Sequence, residues 1–185
     1  VDGDTSTNDM VSVLANGLCG NAEITAEGDD FNAFQAALTQ VMTDLCRMMA
    51  KDGEGATKLV ICFVSGAVDA SAAKTAARAV ISSSLVKAAM FGADANCGRV
   101  LCAIGYSGAD VDVRKIDVSY RSRAGELLVC QRGLGIAFDE DAAKAILSED
   151  EIDVLVTLHE GAATATAWGC DLTYDYVKIN GDYRT

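Results

Sequence analysis

Thr57-Lys58-Leu59-Val60-Ile61-Cys62-Phe63-Val64 decides the fold class. It is a short apolar run rich in Val, Ile and Phe, with the length and composition of a buried strand. Asp69 follows as a helix cap, and Ser71 to Ile81 is rich in alanine, which lets a helix lie close to a sheet. A buried strand followed by a capped helix is the repeating theme of chains that mix strands and helices in layers.

Upstream of this run, Asp29 and Asp30 offer an N-cap, and Phe31, Phe34, Leu38, Val41, Leu45 and Met48 recur at spacings of three and four. That spacing predicts an amphipathic helix, with Arg47 and Lys51 complementing its C-terminal dipole and Gly53 ending it. Before it, Val11 to Leu14 reads as a short strand or a first helical turn. Downstream, Ser82-Ser83-Ser84 interrupts the alanine-rich helix, and Leu85 to Phe91 forms another. Arg99 to Tyr106 reads as a strand. Val111 to Tyr120 alternates imperfectly, like a half-exposed strand, with Leu127 to Gln131 as its neighbour and Gly125 in the turn. Asp141 to Leu147 is a short helix. Ile152, Val154, Val156 and Leu158 place one face of a strand in a core, and Ala162 to Trp168 is a strand of small residues. The tail, Asp171 to Thr185, is helix or strand. The expected class is α/β (mixed α+β), with layered sheets and helices.

The 185 residues suit one ordinary domain or two small lobes sharing a core. Half the chain is apolar and 23% is charged, a globular mixture. The net charge of −12 repels phosphate backbones, which argues against nucleic-acid binding, and suits a cytoplasmic protein. No apolar run has the length of a bilayer-spanning helix, so no membrane role is expected. The start, Val1-Asp2-Gly3-Asp4, lacks the basic and apolar regions of a signal peptide, and with no initiator Met it reads as processed or cut upstream. Seven Cys, most of them inside apolar segments, read as reduced, buried thiols. Cys97 and Cys102 have no second pair to complete a zinc site, and His159 is the one histidine, so no metal is expected.

Several motifs carry less than they suggest. Gly133-Leu134-Gly135 lacks the third glycine and the following helix of a dinucleotide fingerprint. Gly53-Glu54-Gly55-Ala56-Thr57-Lys58 stands before a strand, whereas a phosphate loop follows one. His159-Glu160 has no second histidine, and a lone histidine at a strand end is ordinarily structural. Ser65-Gly66 and Ser107-Gly108 lack a nucleophile elbow. Glu54 stands apart. Set between two glycines at a helix-to-strand junction, it is presented by backbone with little cover, although such a residue is ordinarily a solvated turn. The C-terminus holds Tyr174, Tyr176, Val177 and Ile179, an apolar content that suits a docked tail.

These segments together resemble one family. Val1-Asp2-Gly3-Asp4-Thr5-Ser6-Thr7-Asn8-Asp9 with Ala15-Asn16-Gly17 is similar to the ornithine acetyltransferases. So are Gly53-Glu54-Gly55-Ala56-Thr57-Lys58, Ser84-Leu85-Val86-Lys87, Phe91-Gly92-Ala93-Asp94, Gly98-Arg99 and Gly105-Tyr106-Ser107-Gly108. The segment from Trp168-Gly169-Cys170-Asp171 to Ile179-Asn180 resembles the family's C-terminus. Departures are local: Ser84 stands where the family usually has Pro, and Ala95-Asn96-Cys97 where it has Pro-Asn-Trp.

The resemblance implies the greater part of a β-chain from a self-cleaving precursor. The family moves an acetyl group from N-acetylornithine to glutamate through an acetyl-threonine on the β-chain's N-terminus, a route that splits one difficult transfer into two easier ones. Val1 has no hydroxyl, so the resemblance puts the nucleophile, the oxyanion-hole residues and the lysine before the cleavage site upstream. No catalytic residue is expected in this chain, which alone is expected to be inactive. Glu54, Asn180 and Thr185 match the family's substrate-binding positions downstream of the nucleophile. A carboxylate at Glu54, a terminal carboxylate at Thr185 and an amide at Asn180 suit a substrate with two ammonium groups and one carboxylate.

Residues 1–56 would then be part of an active-site lobe completed by upstream chain, and 57–185 a C-terminal lobe whose tail returns to the site. The resemblance also implies an α-chain partner, a homo-oligomer of αβ units and no cofactor, with acetyl-CoA possible as an acetyl donor. A self-processing amidohydrolase with the same nucleophile, or a non-catalytic ligand-binding α/β domain, remain as rivals.

Overall fold

Two strands remote from it in the chain flank β1, Leu59–Ala67, and organise the molecule. β5, Glu151–Thr157, runs parallel to it and β6, Ala163–Cys170, antiparallel. Beyond β5 lie β2, Asp117–Ser122, then β3, Gly125–Gln131, and the two-residue β4, Leu134–Gly135. The order is β4-β3-β2-β5-β1-β6, one mixed sheet. This computed structural model describes residues 2–3 and 10–182. The α/β class expected from the sequence is the class observed.

One face of the sheet carries the core. Successive side chains of a strand point to opposite faces, so Val60, Cys62 and Val64 of β1 line up with Ile152, Val154 and Val156 of β5, all buried. Over β1 and β6 lies α2, Ala70–Ser82, which buries Ala73, Ala76, Ala77 and Val80. Its small residues allow close approach. A Cβ added to Gly169 would stand 3.1 Å from Ile81 Cβ, so glycine is what lets helix and strand meet there. The Asp69 carboxylate caps this helix by accepting from Ala72 N–H. Ser83 caps α3, Ser84–Phe91, in the same way through Val86 N–H. Over β2 and β3 lies α5, Glu140–Leu147, with Asp139 at its cap.

Four readings need correction. Residues 99–106 are not a strand: α4 spans Cys97–Gly105, started by Asn96, whose side chain accepts from Arg99 N–H. It packs against α2 and buries Val100, Ala103 and Ile104, a three-and-four spacing hidden within a continuous apolar run. Residues 11–14 form neither strand nor helix. Residues 113–115 are a 3₁₀ turn, and β2 begins only after it. The cysteines divide: Cys62, Cys130 and Cys170 are buried, but Cys19, Cys46 and Cys102 are exposed.

The long helix α1, Asp29–Lys51, forms where its spacing predicts, with Gly28 as N-cap and Asp29 and Asp30 in its first turn. It touches β6 and β1 and pairs Arg47 with Glu151 at 2.8 Å. None of its residues is buried. Phe34 is 61% exposed, Leu45 50% and Met48 65%, so the stripe that identified the helix faces no partner among the described residues.

Tyr120 is buried in the core, and its hydroxyl has no hydrogen-bond partner among the described residues. Burial pushes the phenol's pKa up, so the group stays a neutral, unpaired donor. Tyr120→Phe is therefore expected to leave the fold intact and stabilise it by about 1 kcal/mol, read from denaturant midpoints. A destabilised variant would mean that the hydroxyl has a partner.

Candidate functional site

At one end of the sheet, three stretches of chain converge: residues 53–58, which join α1 to β1; residues 170–173, which leave β6; and the C-terminal helix α6, Tyr174–Asp182. The tail is thus a helix, one of the two forms open to it from sequence. Asp171 joins the first two. Its carboxylate accepts from Thr57 N–H at 2.8 Å, from Lys58 N–H at 3.0 Å and from the Thr57 hydroxyl at 2.5 Å. Asp171 is 3% exposed, and a buried carboxylate needs such donors to offset its lost hydration.

Thr173 joins the next pair. Its hydroxyl donates to Gly55 O at 2.7 Å and accepts from Tyr176 N–H at 3.3 Å, so one side chain holds the loop and caps α6. Gly55 has φ +65, and a Cβ there would stand 2.8 Å from Tyr176 N and 2.9 Å from the Asp175 carbonyl carbon. The glycine is required both by its backbone conformation and by the closeness of α6.

Two lysines brace the same region, Lys58 half-buried and Lys87 buried. Lys58 Nζ donates to Met90 O at 2.6 Å and Leu147 O at 2.7 Å, the final turns of α3 and α5, whose carbonyls lack helical partners. Burial pulls the pKa of Lys58 below the ordinary lysine value, while the charge of Asp171 opposes that shift. Lys87 Nζ donates to Cys170 O, and Leu172 N–H donates back to Lys87 O at 3.2 Å.

On this frame stand two of the three residues singled out from sequence. Asn180 Nδ2 donates to Glu54 Oε2 at 2.7 Å and to Tyr176 O at 3.0 Å. Both side chains are exposed, and among the described residues Glu54 has no salt-bridge partner. Thr185, the third, lies outside the described residues. The structure adds two neighbours that sequence reasoning did not single out: the Tyr176 hydroxyl donates to Asp2 Oδ2 at 2.8 Å. The arrangement offers carboxylate oxygens, an amide and a phenol at one edge, chemistry suited to holding an ammonium group.

The remaining motifs lie elsewhere. His159 follows β5 at the far end of the sheet, with φ 58, and its Nε2 meets Asp117 Oδ2 at 2.7 Å. Ser65 Oγ lies 3.3 Å from the Thr157 hydroxyl, and Ser107 Oγ donates to Ile104 O, so neither serine has a base beside it. Gly133-Leu134-Gly135 ends in the short edge strand β4. No group of three or more potential metal ligands occurs among the described residues. A hollow of about 1020 Å³ lies apart from the convergence, lined by Leu14, Ile24, Phe31 and Phe34 among others, beside the start of α1.

Comparison with known proteins matches residues 1–185 to the ArgJ family. The chain is 54% identical over its whole length to arginine biosynthesis bifunctional protein ArgJ 1 of Clostridium acetobutylicum, and 56% identical to arginine biosynthesis bifunctional protein ArgJ of Symbiobacterium thermophilum. It covers 45% of each, so it spans about half the length of the curated relatives it matches. The crystal structure of arginine biosynthesis bifunctional protein ArgJ from Bacillus halodurans superposes with a TM-score of 0.90 at 47% identity, covering 99% of this chain and 84% of that one.

The close approach at Gly55 yields a test that needs no assay of activity. Gly55→Ala must move α6 or strain the loop, at a cost of about 2 kcal/mol or more. Amide exchange is expected to accelerate over residues 174–182 while β1 and β5 keep their protection. Unchanged exchange in α6 would show that the helix does not depend on this contact.

Proposed function

The chain belongs to the ArgJ family, and from that premise we propose that it contributes the substrate-binding side of an enzyme that transfers an acetyl group from N-acetylornithine to glutamate. One observation carries the reading. Glu54 and Asn180, 126 positions apart in the sequence, meet at 2.7 Å at the edge of the sheet, and the carboxylate has no cation among the described residues. A cationic amino-acid substrate supplies that charge. Glu54 binds an ammonium group of ornithine, and Asn180 both fixes the carboxylate and keeps its amide oxygen as a further acceptor. The carboxylate of Thr185 adds a second anionic contact when the tail closes on the substrate.

The chemistry is carried by a threonine outside these residues. Its hydroxyl oxygen attacks the acetyl carbonyl, its proton passes to the departing amine of ornithine, and the acetyl group rests on the threonine. The amine of glutamate then attacks that ester, and the threonine oxygen recovers a proton. The residues of this chain bind and orient. No cofactor enters either step, and acetyl-CoA would serve only as another acetyl donor. Cytoplasmic location follows from the same pathway.

The nucleophile must come from a companion segment, and the α1 stripe supports the presence of one. Phe34, Leu38, Val41, Leu45 and Met48 form an apolar face on a helix with no buried residue, in a chain that spans 45% of its relatives' length. An apolar face of this kind is an interface left open. We assign its cover to the remaining length of the family, which as an α-chain with the first part of the β-chain completes the lobe begun by residues 1–56. The αβ unit then assembles with its copies.

Three results are expected. The chain alone is inactive in acetyl transfer from N-acetylornithine to glutamate and self-associates, and co-expression with the missing length restores turnover. Robust transfer by the chain alone would place the nucleophile within these residues. In the restored enzyme, Glu54→Gln raises KM for N-acetylornithine about tenfold or more while the Tm holds, because it removes a charge from a paired contact. Deleting residues 181–185 abolishes turnover with little loss of stability. Wild-type kinetics in either variant would remove that residue set from the site, and equal acetyl release without glutamate would identify a hydrolase instead.

A further inference from the structure

Buried charge is rare where it serves nothing, and here it gathers at one place. Lys87 is 3% exposed, Asp171 3% and Thr173 6%; the last two stand where the chain leaves β6 for α6, and Lys87 reaches the end of β6 from α3. The Asp171 carboxylate spends its hydrogen bonds on a single short stretch: Thr57 N–H, the Thr57 hydroxyl and Lys58 N–H. The return bond, Asp171 N–H to Lys58 O at 3.3 Å, ties the same residues from the other side. Two residues on, Thr173 takes hold of Gly55 O and caps α6. Four residues after the cap contact at Tyr176, little more than one further turn, stands Asn180, in contact with Glu54.

Glu54 is thereby caught between fixed points. Thr57 and Lys58 behind it are held by Asp171, Gly55 beside it by Thr173, and its own carboxylate meets Asn180 on the helix that Thr173 caps. An exposed glutamate between glycines would otherwise sample many positions. Oriented binding depends on such support, because small displacements of a binding group cost large factors in rate or affinity.

We propose that Asp171 is a positioning residue for the substrate site: through Thr57 and the Lys58 N–H it holds Glu54 against Asn180 and so sets the affinity for N-acetylornithine. The inference rests on the reading of Glu54 and Asn180 as substrate-binding residues. Asp171 itself is buried behind the loop and touches no substrate; its effect passes through the loop. The Thr57 hydroxyl is the outermost part of the clamp and the part that can be altered without emptying a buried charge site.

The test uses the complete enzyme and four variants, Asp171→Asn, Thr57→Val, Thr57→Ser and Glu54→Gln, with kcat, KM for N-acetylornithine and Tm measured for each. Asp171→Asn and Thr57→Val are expected to raise KM about tenfold with kcat within about twofold of wild type. Thr57→Ser, which keeps the hydroxyl, retains wild-type KM. If Asp171→Asn does not fold, the Thr57 pair decides alone. A lowered Tm with wild-type KM in Thr57→Val, while Glu54→Gln raises KM, would overturn the positioning role and leave the site standing. Wild-type KM in Glu54→Gln would overturn the site itself, and the inference with it.

Discussion

The end of the sheet where Glu54 meets Asn180 depends on one buried carboxylate. Asp171 joins the beginning of β1 to the end of β6 through three accepted hydrogen bonds, and both segments are anchored elsewhere: β1 between β5 and β6, β6 beneath α2. The clamp therefore refers the position of an exposed loop to the most rigid part of the core. The two lysines complete the frame. Lys58 gathers the ends of α3 and α5, and Lys87 fixes Cys170, the residue before the carboxylate. Positive charge is supplied to helix C-termini and to a strand end, where it meets carbonyl oxygens, and negative charge to a loop, where it meets backbone N–H groups.

The sheet is finished on one side and unfinished on the other. Helices cover Val60, Cys62, Val64 and their neighbours in β5, whereas the opposite face passes from buried Ile61 to Phe63, 38% exposed, with Thr164 and Thr166 open beyond it. Helix α1 lies at this second face and carries its apolar stripe outward. The Glu54–Asn180 edge and the unfinished surfaces belong to the same chain: the loop that carries Glu54 is the direct continuation of the helix whose apolar stripe lies open.

Much of the fold was legible in the sequence wherever one local rule dominates. The three-and-four spacing from Phe31 to Met48 gives α1, the alternation from Ile152 to Val156 gives β5, and Asp69 marks the start of α2. The rule failed where it became degenerate. Val100 to Ile104 is apolar throughout, so period two and period three-to-four fit it equally, and the decisive signal was the small one, Asn96 as cap. The tail stayed open for the opposite reason: Tyr, Val and Ile favour strands, and the helix is imposed by Thr173 and by Gly55, a residue 118 positions earlier. The site was legible only in part. Glu54 and Asn180 came from resemblance, because nothing local relates a turn carboxylate to an amide at the far end of the chain. Asp171 and Thr173 were present in the quoted motif, and their spacing before a tyrosine-rich helix is a capping signal that could have been read; the partners of Asp171 could not.

The arrangement of β1 also has a consequence for how the chain is made. β1 is made well before either of its partners, for Leu59 finds its neighbours only in Glu151 and Cys170. Long loops must close before the sheet is rewarded, which makes such topologies slow to fold and leaves apolar strands waiting. Until β5 and β6 have left the ribosome, Val60, Cys62 and Val64 have helices to lean on but no strand beside them. The residues that complete the sheet are followed at once by those that cap α6 and carry Asn180, so assembly of the core and assembly of the Glu54–Asn180 edge fall close together in translation. A ribosome that stops short of β6 releases neither half of the job done, and such a fragment is a substrate for chaperones and proteases.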